Sequence, residues 1–201
     1  KKKYSSMLFL TLVYASFFTM AFGFINRLRL GVYLSFILSA IFIIYRLIRN
    51  SKEVKNLFLN NFISIGFFVY LLLLIYVVLH ENGNTFSYMD EFTMWGTRVA
   101  HMLKYNSIRN INSSYLYPRS RYPMFLGCLE STFCVIYGQF LESACYVGLN
   151  FFYFSSFGPL LEKCKLNRGV DWLKGILVGL CAIVLGTSIT PYNAKSVYDS
   201  L

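Results

Sequence analysis

The sequence predicts an all-α, polytopic transmembrane protein with about five spans, and three observations carry that prediction. The 201 residues are 56% hydrophobic and only 14% charged, whereas a soluble domain carries roughly a quarter charged residues. Apolar runs of about twenty residues recur, which is the helix length that crosses roughly 30 Å of hydrocarbon. Basic residues cluster in several of the segments between these runs, as expected for segments that face the cytoplasm.

The first three apolar runs cover residues 7–25, 30–47 and 61–79. The first run ends on bulky residues and lacks a small-residue cleavage site, which favours a true span over a signal peptide. Three lysines precede it, and the segment after the second run contains Arg46, Arg49, Lys52 and Lys55. The positive-inside rule therefore predicts a cytoplasmic N-terminus and an extracytoplasmic loop over residues 80–140.

Two helices are predicted within this outer loop. Residues 92–105 have helical spacing, with Glu91, Trp95, Arg98 and Met102 on one face. Residues 122–140 begin at Pro123, a favourable first helical position, and are interrupted by glycines and by Glu130. We expect a re-entrant or interfacial helix here. A carboxylate at membrane depth is costly, and an interfacial helix would leave Glu130 and the following Glu142 partly hydrated.

The remaining chain predicts two more spans. Residues 141–161 would return inward to the basic segment 163–168, and residues 172–187 would cross outward to a second outer loop that contains Asp199. Residues 1–60 then form two additional helices with a cytoplasmic loop, and residues 61–201 form the main membrane domain. The chain starts without Met and stops without a polar tail, so we expect it to be the N-terminal part of a longer protein.

Composition also limits the kinds of partner that the protein can bind. The net charge of +10 is spread over loops between apolar runs, which indicates anionic head groups of the bilayer and excludes a nucleic-acid partner. The five cysteines are scattered through apolar segments without a CxxC pair. They are predicted to be small hydrophobic residues, and neither a disulfide framework nor a zinc site is expected.

The adjacent carboxylates Asp90 and Glu91 are the main candidates for chemistry. One interpretation makes Asp90 a helix N-cap with Glu91 in the first turn. The other is general-base or cation chemistry, of which neighbouring carboxylates at a membrane cavity are typical. Spacing alone leaves both open. The five basic residues of the same loop, Arg98, Lys104, Arg109, Arg119 and Arg121, run against the topology rule, so they contact either head groups or an anionic ligand such as a lipid phosphate.

A resemblance adds to these observations. The motif Tyr-Met-Asp90-Glu91-Phe-Thr-Met-Trp-Gly, followed about thirty residues later by Arg121-Tyr122-Pro123, resembles the GT-C class of membrane glycosyltransferases. This class includes the protein O-mannosyltransferases and the bacterial aminoarabinose transferases. The resemblance covers residues from about 60 to 201. Two departures stand out: Met124 replaces the second proline of the family's Tyr-Pro-Pro, and the first two spans are additional.

The resemblance implies transfer of a sugar, with inversion, from a polyprenyl-phosphate lipid to a cell-envelope glycan or protein outside a bacterial cytoplasmic membrane. It implies Asp90 as the base, with Glu91 supporting it or holding a divalent cation, Mg²⁺ or Mn²⁺. The other implied site residues are Arg98, Arg119 and Arg121 at the phosphate, Asp199 from the second loop, and Tyr88, Trp95 and Tyr122 lining the substrate. Two alternatives remain: a flippase or transporter of a lipid-linked precursor, and a non-catalytic membrane subunit.

Overall fold

The computed structural model describes residues 7–49, 56, 63–86, 95–108 and 124–188. Seven α-helices with defined bounds lie in these ranges, and no strand occurs there, so the all-α prediction is confirmed for the described chain. A short 3-10 helix covers Gly158–Leu161. The α-helices are α1 (Leu8–Gly23), α2 (Leu28–Arg49), α3 (Ile65–His80), α4 (Gly96–Tyr105), α5 (Phe125–Tyr137), α6 (Glu142–Ser155) and α7 (Gly169–Ser188).

Two of the described helices are long and apolar enough to cross a membrane, as judged by length and composition. They are α2 and the Gly169–Gly186 part of α7. Large apolar side chains cover their surfaces, for example Phe42 at 62% exposure and Ile48 at 82%, and soluble proteins rarely expose apolar surface on this scale. The chain is therefore membrane-associated. Helices α1 and α3 are apolar but shorter, so the total of five spans stays a prediction.

The chain divides into two compact units. Unit 1 comprises Lys1–Leu10, Ile44–His80 and Asn150–Leu201, and unit 2 comprises Thr11–Ile43 and Glu81–Leu149. The predicted boundary at residue 60 lies outside the described residues and stays a prediction.

In unit 1, helices α3 and α7 pack side by side through small residues. A Cβ on Gly175 would lie 2.6 Å from Cγ2 of Ile65, and one on Gly179 would lie 3.4 Å from Cγ1 of Val69. Glycine at these positions lets the two helices approach closely, as is usual where membrane helices pack. Both contact positions advance along the chain together, so α3 and α7 run parallel.

The expected span over residues 141–161 is interrupted, and its prediction as one continuous helix is wrong. Helix α6 ends at Ser155. The hydroxyls of Ser155 and Ser156 donate to the carbonyls of Phe152 and Tyr153 over 2.6 and 2.7 Å, a local bond that competes with helix continuation. Pro159 then opens the 3-10 helix. The α-helical part is about 21 Å long at 1.5 Å per residue, which is shorter than the hydrocarbon core.

In unit 2, the N-terminus of α2 is capped from a distant part of the chain. The backbone N–H of Leu28 donates to the carbonyl of Asn106 over 3.1 Å, and the N–H of Arg29 donates to Oδ1 of Asn106 over 2.8 Å. The N–H of Ile108 donates to the carbonyl of Gly23, the last residue of α1, over 3.0 Å. Residues 106–108 therefore satisfy helix-end groups on both sides of the α1–α2 turn.

Helix α5 is buried over nine consecutive residues, Gly127 to Val135. Within it, Thr132 shares a buried hydrogen bond of 2.8 Å with Thr19 of α1. The expectation that Glu130 would be partly hydrated is wrong, since its side chain is only 6% exposed. Helix α5 therefore packs inside unit 2 with both apolar and polar side chains buried.

Candidate functional site

Two of the nine predicted site residues, Trp95 and Arg98, lie among the described residues. The other seven lie outside them, and their predicted roles stay predictions: Tyr88, Asp90, Glu91, Arg119, Arg121, Tyr122 and Asp199. Trp95 is partly buried at the start of α4, with helical backbone angles. The described residues nearest to the acidic pair are therefore Phe86 before it and Trp95 after it.

The described residues on either side of the acidic pair contact each other. The ring of Phe86 lies so close to Gly96 that a Cβ on this glycine would come within 1.8 Å of Cε2. Phe86 is held by its N–H, which donates to Oε2 of Glu142 over 2.6 Å, and by an edge-to-face contact with Tyr146 at 5.6 Å between ring centroids. The described residues just before and just after the acidic segment are therefore packed against each other.

Arg98 lies on the buried face of α4. Its side chain is 5% exposed, and Met102, one turn later, is fully buried. The predicted face that places both residues together is thus confirmed for this pair. Arg98 lies against α5 where Gly127 leaves space, since a Cβ on this glycine would lie 4.0 Å from Cδ of Arg98 and 3.4 Å from Sδ of Met102.

Arg98 of α4 interacts electrostatically with Glu130 of α5. Burial lowers the pKa of Arg98, and electrostatic interaction with Cys128 and Glu130 acts in the opposite direction. Burial also raises the pKa of the Cys128 thiol to about 12, so this thiol is neutral at pH 7. Glu130 is therefore the counter-charge, and the guanidinium stays protonated because arginine does not deprotonate in proteins.

Sequence reasoning singled out both residues but did not pair them. It assigned Arg98 to a lipid phosphate and expected Glu130 to be partly hydrated. In the structure both side chains are buried, Arg98 on α4 and Glu130 on α5. Loss of either charge would leave the other without its neighbouring opposite charge inside the protein. The contact of Arg98 with a phosphate stays a prediction.

Metal binding was predicted at Asp90 and Glu91, which lie outside the described ranges. Within those ranges, no group of three or more His, Cys, Asp or Glu side chains is placed to hold a metal ion. The role of Mg²⁺ or Mn²⁺ therefore stays a prediction.

A small cleft opens in unit 2 beside the turn between α5 and α6. Its volume is about 30 Å³, enough for one or two water-sized molecules. The lining residues are Arg29, Tyr33, Leu103, Cys134, Val135, Gly138, Gln139 and Phe140.

Together these features define a membrane-associated, all-α protein in which Arg98 and Glu130 are buried on α4 and α5. Comparison with known protein families, with curated proteins and with solved structures finds no match to this chain.

Proposed function

We propose that the chain belongs to a membrane glycosyltransferase that moves a sugar from a polyprenyl-phosphate lipid to an extracytoplasmic acceptor. One observation carries the proposal. The segment with Asp90 and Glu91 is bounded by two residues in contact, Phe86 and Gly96. Arg98, which interacts electrostatically with the buried Glu130, lies two residues after Gly96.

The reaction requires a base and a phosphate-binding group at the membrane surface. Asp90 accepts the proton of the acceptor hydroxyl, whose oxygen attacks the anomeric carbon as the bond to the lipid phosphate breaks. Arg119 and Arg121 neutralise the departing phosphate. Glu91 orients the base or holds a divalent cation. The lipid chain stays in hydrocarbon, which explains why the acidic segment belongs to a membrane protein.

The contacts within each unit support the topology that this reaction needs. In unit 2, residues 106–108 bind the α1–α2 turn, so both segments lie at the same end of α1 and α2. In unit 1, α3 and α7 run parallel. Both relationships fit a cytoplasmic N-terminus, with residues 26–29 and 80–140 outside and α3 and α7 crossing outward.

Transport of a lipid-linked precursor is the second candidate, and the buried charges of Arg98 and Glu130 favour it. Ionisable side chains buried among membrane helices often mark a pathway for ions or substrates. Arg98 and Glu130 are both less than a tenth exposed. In a transporter they would be the functional residues, and Asp90 and Glu91 would be dispensable.

The test is sugar transfer from radiolabelled polyprenyl-phosphate sugars in membranes that contain the full-length protein. We expect Asp90→Asn to abolish transfer and Glu91→Gln to reduce it strongly, at matched expression. Glu81→Gln, the same charge change earlier in the outer loop, is the control and should transfer normally. Equal transfer by all variants would exclude Asp90 as the base. Lipid translocation without transfer, lost in Glu130→Gln, would establish the transporter instead.

A further inference from the structure

Two cysteine thiols face each other at the junction of α5 and α6. The sulfurs of Cys134 and Cys145 are 3.7 Å apart and hydrogen-bonded, and both residues are buried. A disulfide requires the sulfurs to approach to about 2.05 Å, so the two sulfurs of this pair must move closer together for the bond to form.

We propose that Cys134 and Cys145 form a redox-active dithiol, which a small hydroperoxide entering the adjacent cleft oxidises to an intrachain disulfide. This assignment concerns a modification site and is independent of the proposed sugar transfer. It rests on the contact between the two thiols and on the cleft that Cys134 helps to line.

The cleft borders Cys134. This residue forms part of its lining, together with the polar side chains of Arg29, Tyr33 and Gln139, although Cys134 itself is 0% exposed. A volume of about 30 Å³ is enough for a molecule close to water in size, such as hydrogen peroxide. Arg29 and Gln139 carry N–H groups that can donate to a peroxide oxygen. A small hydroperoxide is therefore the oxidant that we assign to this cleft.

Cys134 is the thiol that attacks first. The hydrogen bond shared with Cys145 lowers the pKa of Cys134, while burial acts in the opposite direction. The thiolate is the reactive form of cysteine, so we assign the first attack to Cys134. Cys145 is then already in place as the resolving thiol.

The two steps balance in atoms and electrons. The Cys134 thiolate attacks one peroxide oxygen, the O–O bond breaks, and hydroxide leaves as Cys134 becomes a sulfenic acid. The Cys145 sulfur then attacks the Cys134 sulfur. An S–S bond forms, the S–O bond breaks, and the oxygen leaves as water with the proton of Cys145. The two thiols lose two electrons, which reduce the peroxide to one hydroxide and one water. The hydroxide becomes a second water by taking up the proton that Cys134 released on ionisation.

The oxidised bond would tie α5 to α6 across the turn that contains Gly138. This glycine has a φ of 86° at the end of α5, a left-handed conformation that glycine adopts without strain. The left-handed backbone of Gly138 thus already forms the turn between α5 and α6, and the disulfide would add a covalent link between the two helices.

The experiment uses the reduced full chain in detergent micelles, treated with hydrogen peroxide, quenched, denatured and labelled with a maleimide that adds mass to each free thiol. We expect loss of two of the five thiols and recovery of a cross-linked peptide that contains Cys134 and Cys145. Retention of all five thiols, or a disulfide that involves any other cysteine, would overturn the proposal. This readout on the wild-type chain requires no variant to fold.

Variants test the order of attack. In Cys145→Ser, we expect dimedone to trap a sulfenic acid at Cys134, because the resolving thiol is absent. In Cys134→Ser, no trapping at Cys145 is expected, and substantial trapping there would contradict the assigned order. Cys128→Ser and Cys164→Ser are matched controls at buried positions, and both should still lose two thiols. Failure of either control to form the disulfide would contradict the pairing.

Discussion

The backbone N–H of Phe86 donates a 2.6 Å hydrogen bond to the carboxylate of Glu142, fifty-six residues later in the chain. This bond fixes the residue at which the acidic segment begins to the first turn of α6. The carboxylate lies at a helix N-terminus, where negative charge is favourable, so one side chain stabilises both elements.

We predict that Glu142→Ala lowers the free energy of unfolding by about 2 kcal/mol, the usual contribution of a hydrogen bond to a charged group. Glu142→Gln keeps an acceptor oxygen and should cost less. Denaturant unfolding in micelles measures both, and Glu162→Ala on the 3-10 helix side of unit 1 is the control. Equal losses for alanine and glutamine would show that the Phe86 bond contributes little.

Gly96→Ala should destabilise unit 2, because the added methyl would overlap the ring of Phe86. Overpacking of this kind costs about 1–3 kcal/mol. Gly169→Ala is the matched control, since a Cβ there would meet nothing within 4 Å. Thermal unfolding followed by circular dichroism measures the effect. The double variant Phe86→Leu/Gly96→Ala should recover part of the loss, and no recovery would place the strain elsewhere.

Arg98 and Glu130 should show strong coupling in a double-mutant cycle. Arg98→Met or Glu130→Met alone leaves one buried charge uncompensated and should cost about 3–5 kcal/mol. The double variant should be more stable than either single variant, because it removes both charges. Denaturant unfolding of the four proteins measures the coupling. Additive losses would mean that the two charges do not interact in the folded protein.

We predict that the free energy of unfolding decreases at alkaline pH because of Cys128. Its pKa in the folded protein is raised to about 12 from an ordinary value of 9.0, so the folded state retains a proton that the unfolded state releases. The stabilisation is complete below pH 9 and is lost as the pH rises to 12. A shift of 12 − 9 = 3 units corresponds to at most about 4 kcal/mol.

Unfolding measured between pH 8 and pH 11 checks this prediction for the wild type and for Cys128→Ala. The variant should lose less stability than the wild type over that range, whatever its stability at pH 8. Parallel curves for the two proteins would show that Cys128 does not control the alkaline transition.

Hydropathy and helical spacing predicted the helices well, but they carry no information on contacts between residues far apart in the sequence. The apolar runs over residues 7–25 and 30–47 correspond to α1 and α2 within two residues at each end, because long apolar helices carry a strong local signal. The end of α6 was missed because hydropathy continues past Ser155, while Ser155, Ser156 and Pro159 supply the interrupting bonds.

The candidate site shows the same limit. The sequence placed Arg98 and Met102 on one helix face, which local periodicity determines. It also indicated that a carboxylate such as Glu130 would be costly at depth. Its partner could not be derived, because Arg98 lies on another helix and only packing brings the two together. The contact of Phe86 with Gly96 depends in the same way on α4 and α6 being in place.

The capping of α2 by Asn106 has a consequence for biosynthesis. Arg29 and Asn106, which are joined by the side-chain bond, are 77 positions apart. Ribosomes add about 5–20 residues per second, so Asn106 is synthesised roughly 4–15 s after Arg29. During that interval, the first N–H groups of the helix need another acceptor, either water or a lipid head group. The α1–α2 turn must therefore lie at a polar surface until the segment that completes it has been translated.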